Sequence, residues 1–226
     1  MPVRKIGRSM VASTGIKASD KGIGRLAHES GLEADFLDLA NFCPLIESIE
    51  VQPVRIDYVK VTGKPGTYTP DALLMFRPDS PSRFGRPWLC EIKYRWELRE
   101  NWAEYRLIYR AAVHYARERN WRFKILTDTE IRTPFLDNVQ RLQDALWKTR
   151  NEQHEAALLA TLKLVDPSTP EALLHALGAG FRDDNMELRG GLLPSLWRLI
   201  ATGRIHADLR QPIRMDMPIQ LAVEKR

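Results

Sequence analysis

The chain has 226 residues, of which 28% are charged and 44% hydrophobic, a composition typical of a soluble globular protein and not of a disordered one. No apolar run is long enough to cross a membrane, the first residues lack the apolar block of a signal peptide, and two cysteines, Cys43 and Cys90, are too few for a disulfide framework. We therefore expect a cytoplasmic protein with one large domain or two small ones.

The net charge of +5 is concentrated at the beginning of the chain. Residues 1–28 contain six basic residues and one acidic residue, whereas residues 29–226 contain 28 of each. Residues 1–27 are rich in Gly, Ser and Lys without sustained periodicity, which predicts a flexible basic arm. Charge alone favours a polyanion-binding arm and an inert tail equally. The DNA contacts predicted for the arm are Arg4, Lys5, Arg8, Lys17, Lys21 and Arg25.

The next part of the chain, 28–129, predicts a mixed α/β domain. A Ser-x-x-Glu capping box at Ser30 and Glu33 begins its first helix, which Pro44 ends. Apolar periodicity and turn residues define the remaining elements. The predicted elements are a helix over 30–43, a hairpin of 49–61 and 68–76, a strand at 88–94, a helix over 97–119 and a strand at 121–127.

The last part, 130–226, has a different pattern. Short apolar-periodic segments separated by prolines predict several helices, and 204–221 contains two extended pieces interrupted by proline. Short helices followed by a hairpin resemble a winged helix. We therefore predict a mostly helical, winged-helix-like interaction domain over 130–226.

Two acidic residues and a lysine stand at the edges of apolar strands. Asp71 precedes the strand 72–76, and Glu91 and Lys93 follow apolar residues of the strand at 88–94. Residues i and i+2 of a strand face the same side, so Glu91 and Lys93 point together. If the strands are neighbours, the three side chains converge on a site suited to Mg²⁺ and phosphodiester hydrolysis. The lysine would orient or help deprotonate a water molecule, or stabilise developing negative charge.

A purely structural interpretation of the same residues remains open at this point. Asp71 could cap a turn, and Glu91 and Lys93 could form a surface ion pair, because the bare pattern is common by chance. Asp79 competes as the aspartate of the site. We discount Asp79 because it lies in a Ser/Pro/Arg-rich loop with no strand behind it.

Five blocks of sequence occur in a characteristic order. They are Leu32-Glu33-Ala34-Asp35-Phe36-Leu37, Gln52-Pro53-Val54-Arg55-Ile56, Tyr68-Thr69-Pro70-Asp71, Glu91-Ile92-Lys93 and Thr129-Glu130-Ile131-Arg132-Thr133-Pro134. The chain thereby resembles the PD-(D/E)xK nucleases and, more narrowly, the TnsA family of transposon-end endonucleases. The resemblance implies a restriction-endonuclease-like mixed-sheet core followed by a winged-helix-like second domain.

The resemblance also assigns roles within the site. It implies that Glu33 is the helix-borne acid, Asp71 the central metal ligand, Glu91 a further acid and Lys93 the catalytic lysine. Glu33, Asp71 and Glu91 would hold Mg²⁺, for which Mn²⁺ is a possible substitute. Glu33 could instead only cap its helix. Further acidic candidates are Glu29, as the alternative to Glu33, and Glu100 or Glu104, as an accessory carboxylate.

As a function, the resemblance implies a metal-dependent endonuclease that cuts the 5′ strand at transposon ends. Its partners would be double-stranded DNA, a TnsB-like transposase of the RNase H-like fold, and a TnsC-like AAA+ ATPase bound through the C-terminal domain. The alternatives are a restriction or repair nuclease of the same fold and a non-catalytic DNA-binding adaptor. Arginines on one stripe of the helix over 97–119 would contact phosphates beside such a site, although such a stripe is usually a solvated face. They are Arg99, Arg106, Arg110 and Arg117.

Overall fold

The computed structural model describes residues 15–180 and 185–222. The chain divides into two compact units, with the boundary between Arg132 and Thr133. The strands of the first unit are β1 (Gly15–Lys17), β2 (Leu26–His28), β3 (Ile46–Val51), β4 (Ile56–Val59), β5 (Pro65–Tyr68), β6 (Ala72–Phe76), β7 (Trp88–Lys93) and β8 (Arg122–Thr127). Its helices are α1 (Gly31–Phe42), α2 (Arg95–Glu100), α3 (Trp102–Glu118) and α4 (Asp128–Ile131).

A four-stranded mixed sheet forms the centre of the first unit. Its order is β3-β6-β7-β8, in which β6 pairs antiparallel with both β3 and β7, whereas β7 and β8 are parallel. A parallel pair requires a crossover connection, and α2 and α3 provide it. The mixed α/β core that the sequence predicts is therefore confirmed.

The two faces of this sheet pack against different helices. Because side chains alternate along a strand, Leu73 and its partner Leu89 face α3, where they cluster with Ala112. On the opposite face, Ile92 of β7 is buried in one cluster with Phe36 of α1. The sheet is therefore covered on both sides, which explains the continuous apolar runs of β6 and β7.

The predicted hairpin over 49–61 and 68–76 is divided into two parts. Its base, β3 with β6, belongs to the central sheet, whereas β4 and β5 form a separate two-stranded hairpin. We call this hairpin, residues 56–68, the ribbon. The division occurs at Gln52, whose positive φ of 48° turns the chain out of the sheet. The backbone N–H of Gln52 still donates to the carbonyl of Asp71 across the break, at 2.9 Å.

The structure differs from the prediction of a flexible arm over 1–27. Residues 1–14 lie outside the described residues, but β1 and β2 pair as an antiparallel hairpin on the first unit. Leu26 is only 1% exposed and belongs to the α1 side of the core. The backbone of Ile49 also bonds to Lys21 and Ile23. The burial of Leu26, backbone hydrogen bonds and the side-chain bonds of Lys17 and Lys21 order this stretch, and none of them depends on a periodic sequence pattern.

The helix predicted over 97–119 is interrupted at Asn101. Its residues form the two helices α2 and α3, and Asn101 ends the first and begins the second. The Asn101 side chain donates to the carbonyl of Glu97 at 3.1 Å. Such a bond to the preceding turn is a recognised way in which Asn competes with continuous helix.

The second unit consists of helices and one short hairpin. Its elements are α5 (Pro134–Trp147), α6 (Glu152–Val165), α7 (Pro170–Ala176), α8 (Met186–Ala201), β9 (Ile205–Ala207) and β10 (Ile219–Leu221). The two strands are antiparallel, and α8 packs against α5 and α6. Leu142, Leu158 and Leu196 are at most 1% exposed in its core. The unit is mostly helical, and its likeness to a winged helix stays a prediction.

None of the helices in the described ranges is both long and apolar enough to span a lipid bilayer.

Asn138 is a buried polar residue that connects α5 to the segment between β9 and β10. It is 1% exposed, and its amide donates to the carbonyls of Leu209 and Gln211 at 2.8 and 2.6 Å. Its side-chain oxygen accepts from the backbone N–H of Ile213 at 2.9 Å. One side chain thus satisfies three backbone groups of an otherwise irregular segment.

We expect Asn138→Ala to lower the free energy of unfolding by about 3 kcal/mol, because three backbone groups lose their partner. Urea denaturation of the full chain, followed by circular dichroism, measures the change. Asp144→Ala on the same helix replaces an exposed residue and should change the free energy by less than about 0.5 kcal/mol. Equal effects of the two substitutions would contradict the anchoring role of Asn138.

Candidate active site

The register of the central sheet brings Asp71 next to Glu91. Asp71 immediately precedes β6, Glu91 lies in β7, and the pairing of Ala72 with Cys90 places the two acids opposite each other. Asp71 donates its backbone N–H to the carbonyl of Cys90 at 3.0 Å. Its carboxyl oxygen accepts from the backbone N–H of Ile92 at 2.6 Å. Backbone bonds therefore hold the Asp71 side chain beside β7.

Glu91 is a buried acid surrounded by donors. It is 4% exposed, and it accepts from the hydroxyl of Tyr68 at 2.5 Å and from that of Tyr109 at 3.3 Å. The Nζ atom of Lys93 lies 3.4 Å from its Oε1 atom. Burial, and then the charge and hydrogen bond of Glu91, raise the pKa of Tyr68 far above its ordinary value, so this hydroxyl stays a donor.

The two acids perturb each other. Burial raises the pKa of Asp71 well above its ordinary value, and the charges of Glu91 and Glu33 raise it further. Burial also raises the pKa of Glu91, although Lys93 and the surrounding hydrogen bonds oppose the shift. The negative charge of one carboxylate disfavours ionisation of the other, so the two groups do not ionise independently.

Lys93 is held by a second acid that the sequence analysis does not identify. Glu97 lies 3.8 Å from the Nζ atom of Lys93, and it accepts from the hydroxyl of Tyr105 at 2.5 Å. Burial alone would lower the pKa of Lys93, but the charges of Glu91, Asp71 and Glu97 raise it above its ordinary value. Burial and the bond to Glu97 raise the pKa of Tyr105 to about 12. Lys93 is therefore an ammonium group.

Glu33 lines the same cleft as the other site residues but is engaged in capping its helix. Its carboxylate accepts from the backbone N–H of Glu29 at 2.7 Å and from the hydroxyl of Ser30 at 3.0 Å. The backbone N–H of Glu33 in turn donates to the Ser30 hydroxyl at 3.2 Å. The structure therefore shows the capping role, and the role of Glu33 as a metal ligand remains a proposal.

Gln52 is a site-adjacent residue that sequence reasoning did not single out. Its Nε2 atom donates to the carboxylate of Glu29 at 3.2 Å, while its backbone holds the carbonyl of Asp71. Its buried Oε1 atom has no hydrogen-bond partner. Strain at a positive φ and an unsatisfied polar atom both cost stability and are often found next to functional sites. The proline after Gln52 was the only local sign of an irregular backbone.

These side chains surround one open cleft of about 590 Å³. Acids from the α1 side, the predicted acid–acid–lysine set, the base of the ribbon and one face of α3 all contribute to its lining. The lining residues are Glu29, Glu33, Arg55, Thr67, Tyr68, Thr69, Asp71, Glu91, Lys93, Tyr105, Ile108 and Tyr109. Each of the four predicted site residues lies in this cleft.

The acidic pair suits a hard divalent cation. Asp71 and Glu91 offer oxygen ligands, and a cation between them would offset the repulsion between their charges. Within 15–180 and 185–222, no three His, Cys, Asp or Glu side chains come together as a ligand set. The third predicted ligand, Glu33, is instead bonded to the first turn of its helix.

Of the remaining acidic candidates, Glu29 lines the cleft, whereas Asp79, Glu100 and Glu104 lie away from it. Asp79 is exposed in the loop after β6, where it pairs with Arg77 at 3.5 Å. Glu100 and Glu104 are exposed and do not line the cleft. Neither the competing aspartate nor the accessory carboxylates are therefore brought to the site.

The predicted DNA contacts fall into three groups. Arg4, Lys5 and Arg8 lie outside the described residues. Two lysines of the arm bond within the protein, since Lys17 pairs with Asp38 at 2.7 Å and Lys21 donates to the carbonyl of Cys43 at 2.5 Å. The remaining predicted contacts are exposed, and DNA binding stays a proposal for them. They are Arg25, Arg99, Arg106, Arg110 and Arg117.

Comparison with known proteins identifies the part of the chain that holds the site. Residues 43–128 match the family model described as TnsA-like endonuclease N terminal. This segment is therefore similar to the N-terminal domain of TnsA-like endonucleases. It contains Asp71, Glu91, Lys93 and Gln52, whereas Glu33 precedes it. No curated protein matches the chain significantly.

The capping role of Glu33, which precedes the matched segment, and its proposed role as a metal ligand can be separated by two substitutions. Glu33→Gln keeps an oxygen for the backbone N–H of Glu29 but removes the charge, so DNA nicking should fall about a hundredfold with little loss of stability. Ser30→Ala removes the cap and should cost about 1 kcal/mol while nicking persists. Nicking by Glu33→Gln at the wild-type rate would reduce Glu33 to a capping residue.

Gln52 offers a second test of how the TnsA-like site is held. Gln52→Gly accepts the positive φ, whereas Gln52→Ala keeps the backbone strain, so the glycine variant should be more stable by about 1 kcal/mol. Both variants release Glu29, and we expect equally lowered kcat values with an unchanged KM for DNA. Nicking rates and thermal unfolding measure the two effects. A lower kcat for Gln52→Ala than for Gln52→Gly, in line with their stabilities, would show that the loss of the amide is not the cause. That result would contradict a role of Gln52 in positioning Glu29.

Proposed function

We propose that the chain is a metal-dependent DNA endonuclease that hydrolyses the 5′-strand phosphodiester at transposon ends, as one subunit of a heteromeric cut-and-paste transposase. The observation that carries the proposal is the convergence of Asp71, Glu91 and Lys93 in one cleft of a TnsA-like endonuclease domain. The strand that is cut, and the heteromeric assembly, come from the likeness to the TnsA family.

Asp71 and Glu91 are proposed as oxygen ligands of Mg²⁺ or Mn²⁺, with Glu33 as the third. When bound, such a cation acidifies a water molecule and offsets the charge of a phosphodiester. The chain's own groups prepare the site for it. The backbone N–H of Ile92 orients the Asp71 carboxyl, and the hydroxyl of Tyr68 orients that of Glu91.

Lys93 is proposed to stabilise negative charge on the scissile phosphate. Its ammonium group lines the cleft, 3.4 Å from Glu91, so it faces the space that the phosphate would occupy. Glu97 and Glu91 hold it from two sides, which limits its rotation. A preoriented cation stabilises negative charge more strongly in such a partly buried cleft than in water.

The second unit is proposed to serve protein partners. Its helices followed by an antiparallel pair of strands support a winged-helix-like domain that binds a TnsC-like AAA+ ATPase. A TnsB-like transposase of the RNase H-like fold would cut and join the 3′ strands. Recognition of the end sequence would belong to that transposase, since no base-reading helix stands out in this sequence.

Strand-specific nicking of a transposon-end duplex by the reconstituted complex tests the proposal. Asp71→Asn removes a charged ligand, and we expect nicking of the 5′ strand and Mn²⁺ affinity to fall, nicking by a factor on the order of 1000. Lys93→Ala should reduce nicking but keep Mn²⁺ bound. The matched control is Asp79→Asn, the same chemical change at an exposed aspartate.

Two outcomes would contradict this assignment. Undiminished 5′-strand nicking by Asp71→Asn would remove the proposed metal site. Nicking by the wild-type complex that needs no divalent cation would exclude metal dependence altogether.

A further inference from the structure

The ribbon extends one wall of the active-site cleft. Arg55, Thr67 and Thr69 line the cleft at its base. Thr67 pairs with Asp57 across the two strands, so the alternation of side chains puts Asp57 and the exposed Val59 on the same face. This face reaches the tip of the ribbon. The same alternation puts Lys60 and Lys64 on the other face, beside Tyr58 and Gly66.

The other face of the ribbon fixes it to the protein. Ile56 is 4% exposed and clusters with Ala112 and Ala116 of α3, and Tyr68 packs against the same cluster. Further out, the ring of Tyr58 lies over Gly66, so close that a side chain at that position would meet it at 2.8 Å. Aromatic packing on a strand glycine stiffens a two-stranded hairpin. The ribbon is thus anchored at its base and reinforced towards its tip.

The tip of the ribbon is positively charged and exposed to solvent. Lys60 and Lys64 flank a turn in which Gly63 has a φ of +75°, and both lysines are exposed. Val61 within this turn is 83% exposed. Between Arg55 and Tyr68 there are three basic residues and one acidic residue. Neither the charge nor the exposed valine is needed to hold the ribbon on α3.

We propose that the ribbon is a DNA-binding element that holds the duplex across the cleft, with Lys60 and Lys64 on phosphates beyond the cleavage site. The inference rests on the proposed nuclease function. Four strand residues lie between Arg55 and Lys60, so the two are five rises apart, about 17 Å. The major groove of B-DNA, about 12 Å wide, admits a two-stranded ribbon. Arginine, lysine and threonine side chains are common phosphate donors, and all three occur between the cleft and the tip of the ribbon.

DNA fits this surface better than a protein does because the ribbon carries a basic tip beyond a cleft that is proposed to hold a phosphodiester. A duplex lying in the cleft has to pass along the wall that Arg55 and Thr67 form. Its next phosphates then meet the lysines of the tip, and the exposed Val59 and Val61 face sugars or base edges. The ribbon positions DNA and carries no group of the acid–acid–lysine set.

The test is equilibrium binding of a fluorescent DNA duplex to the full chain without divalent cations, over a range of salt concentrations. Lys60→Ala with Lys64→Ala should weaken binding roughly tenfold and make the slope of log Kd against log salt shallower by about two. Lys60→Arg with Lys64→Arg should restore both values. Lys148→Ala with Lys163→Ala makes the same charge change at exposed lysines of the second unit and should leave both unchanged.

The outcomes separate this proposal from the nuclease assignment. If the alanine pair binds DNA with the wild-type Kd and salt slope, the ribbon does not hold DNA, and its exposed tip belongs to a protein partner. If the control pair weakens binding equally, the effect is one of net charge and the proposal is also overturned. Weaker binding by the alanine pair, together with a wild-type protein that never nicks DNA with Mg²⁺ or Mn²⁺, would support the ribbon but not the nuclease.

Discussion

Two carboxyl groups that lie side by side with little access to water are the constraint on which the site depends. Asp71 and Glu91 repel each other when both are charged, and burial strengthens that repulsion. The surrounding groups all act as donors towards them: the backbone of Ile92, the hydroxyl of Tyr68 and the ammonium group of Lys93. These donors orient the two carboxyl groups in the cleft, where the proposed cation would offset their repulsion.

Much of this site could be predicted because it lies on regular strands. The alternation of side chains puts Glu91 and Lys93 on one face of β7, and the apolar run after Asp71 identifies β6. Sequence patterns also predict the boundaries of α1, since Ser30 begins it and Pro44 follows its end. These predictions hold because local residues decide them, through strand pleating and helix capping.

The features that escaped prediction depend on contacts between different secondary-structure elements. The positive φ of Gln52, its bond to Glu29 and its unsatisfied oxygen follow from tertiary packing, and no local pattern encodes them. Glu97 reaches Lys93 only because α2 follows β7 at a particular angle. The hairpin of β1 and β2 is ordered by the burial of Leu26, a single residue in a stretch that composition marks as flexible. In each case tertiary packing, and not the intrinsic conformational preference of the residues, decides the local structure.

The break at Gln52 gives the first unit a mechanical property. The ribbon and the central sheet are two halves of one hairpin, and they meet where Gln52 bonds to the carbonyl of Asp71. A force applied at the exposed tip acts on the junction at Gln52, which is hydrogen-bonded to Asp71, the residue proposed to hold the metal. A displacement of the ribbon at Gln52 would therefore reach the Asp71 carboxyl through only a few backbone atoms, because the two residues are joined by a backbone hydrogen bond.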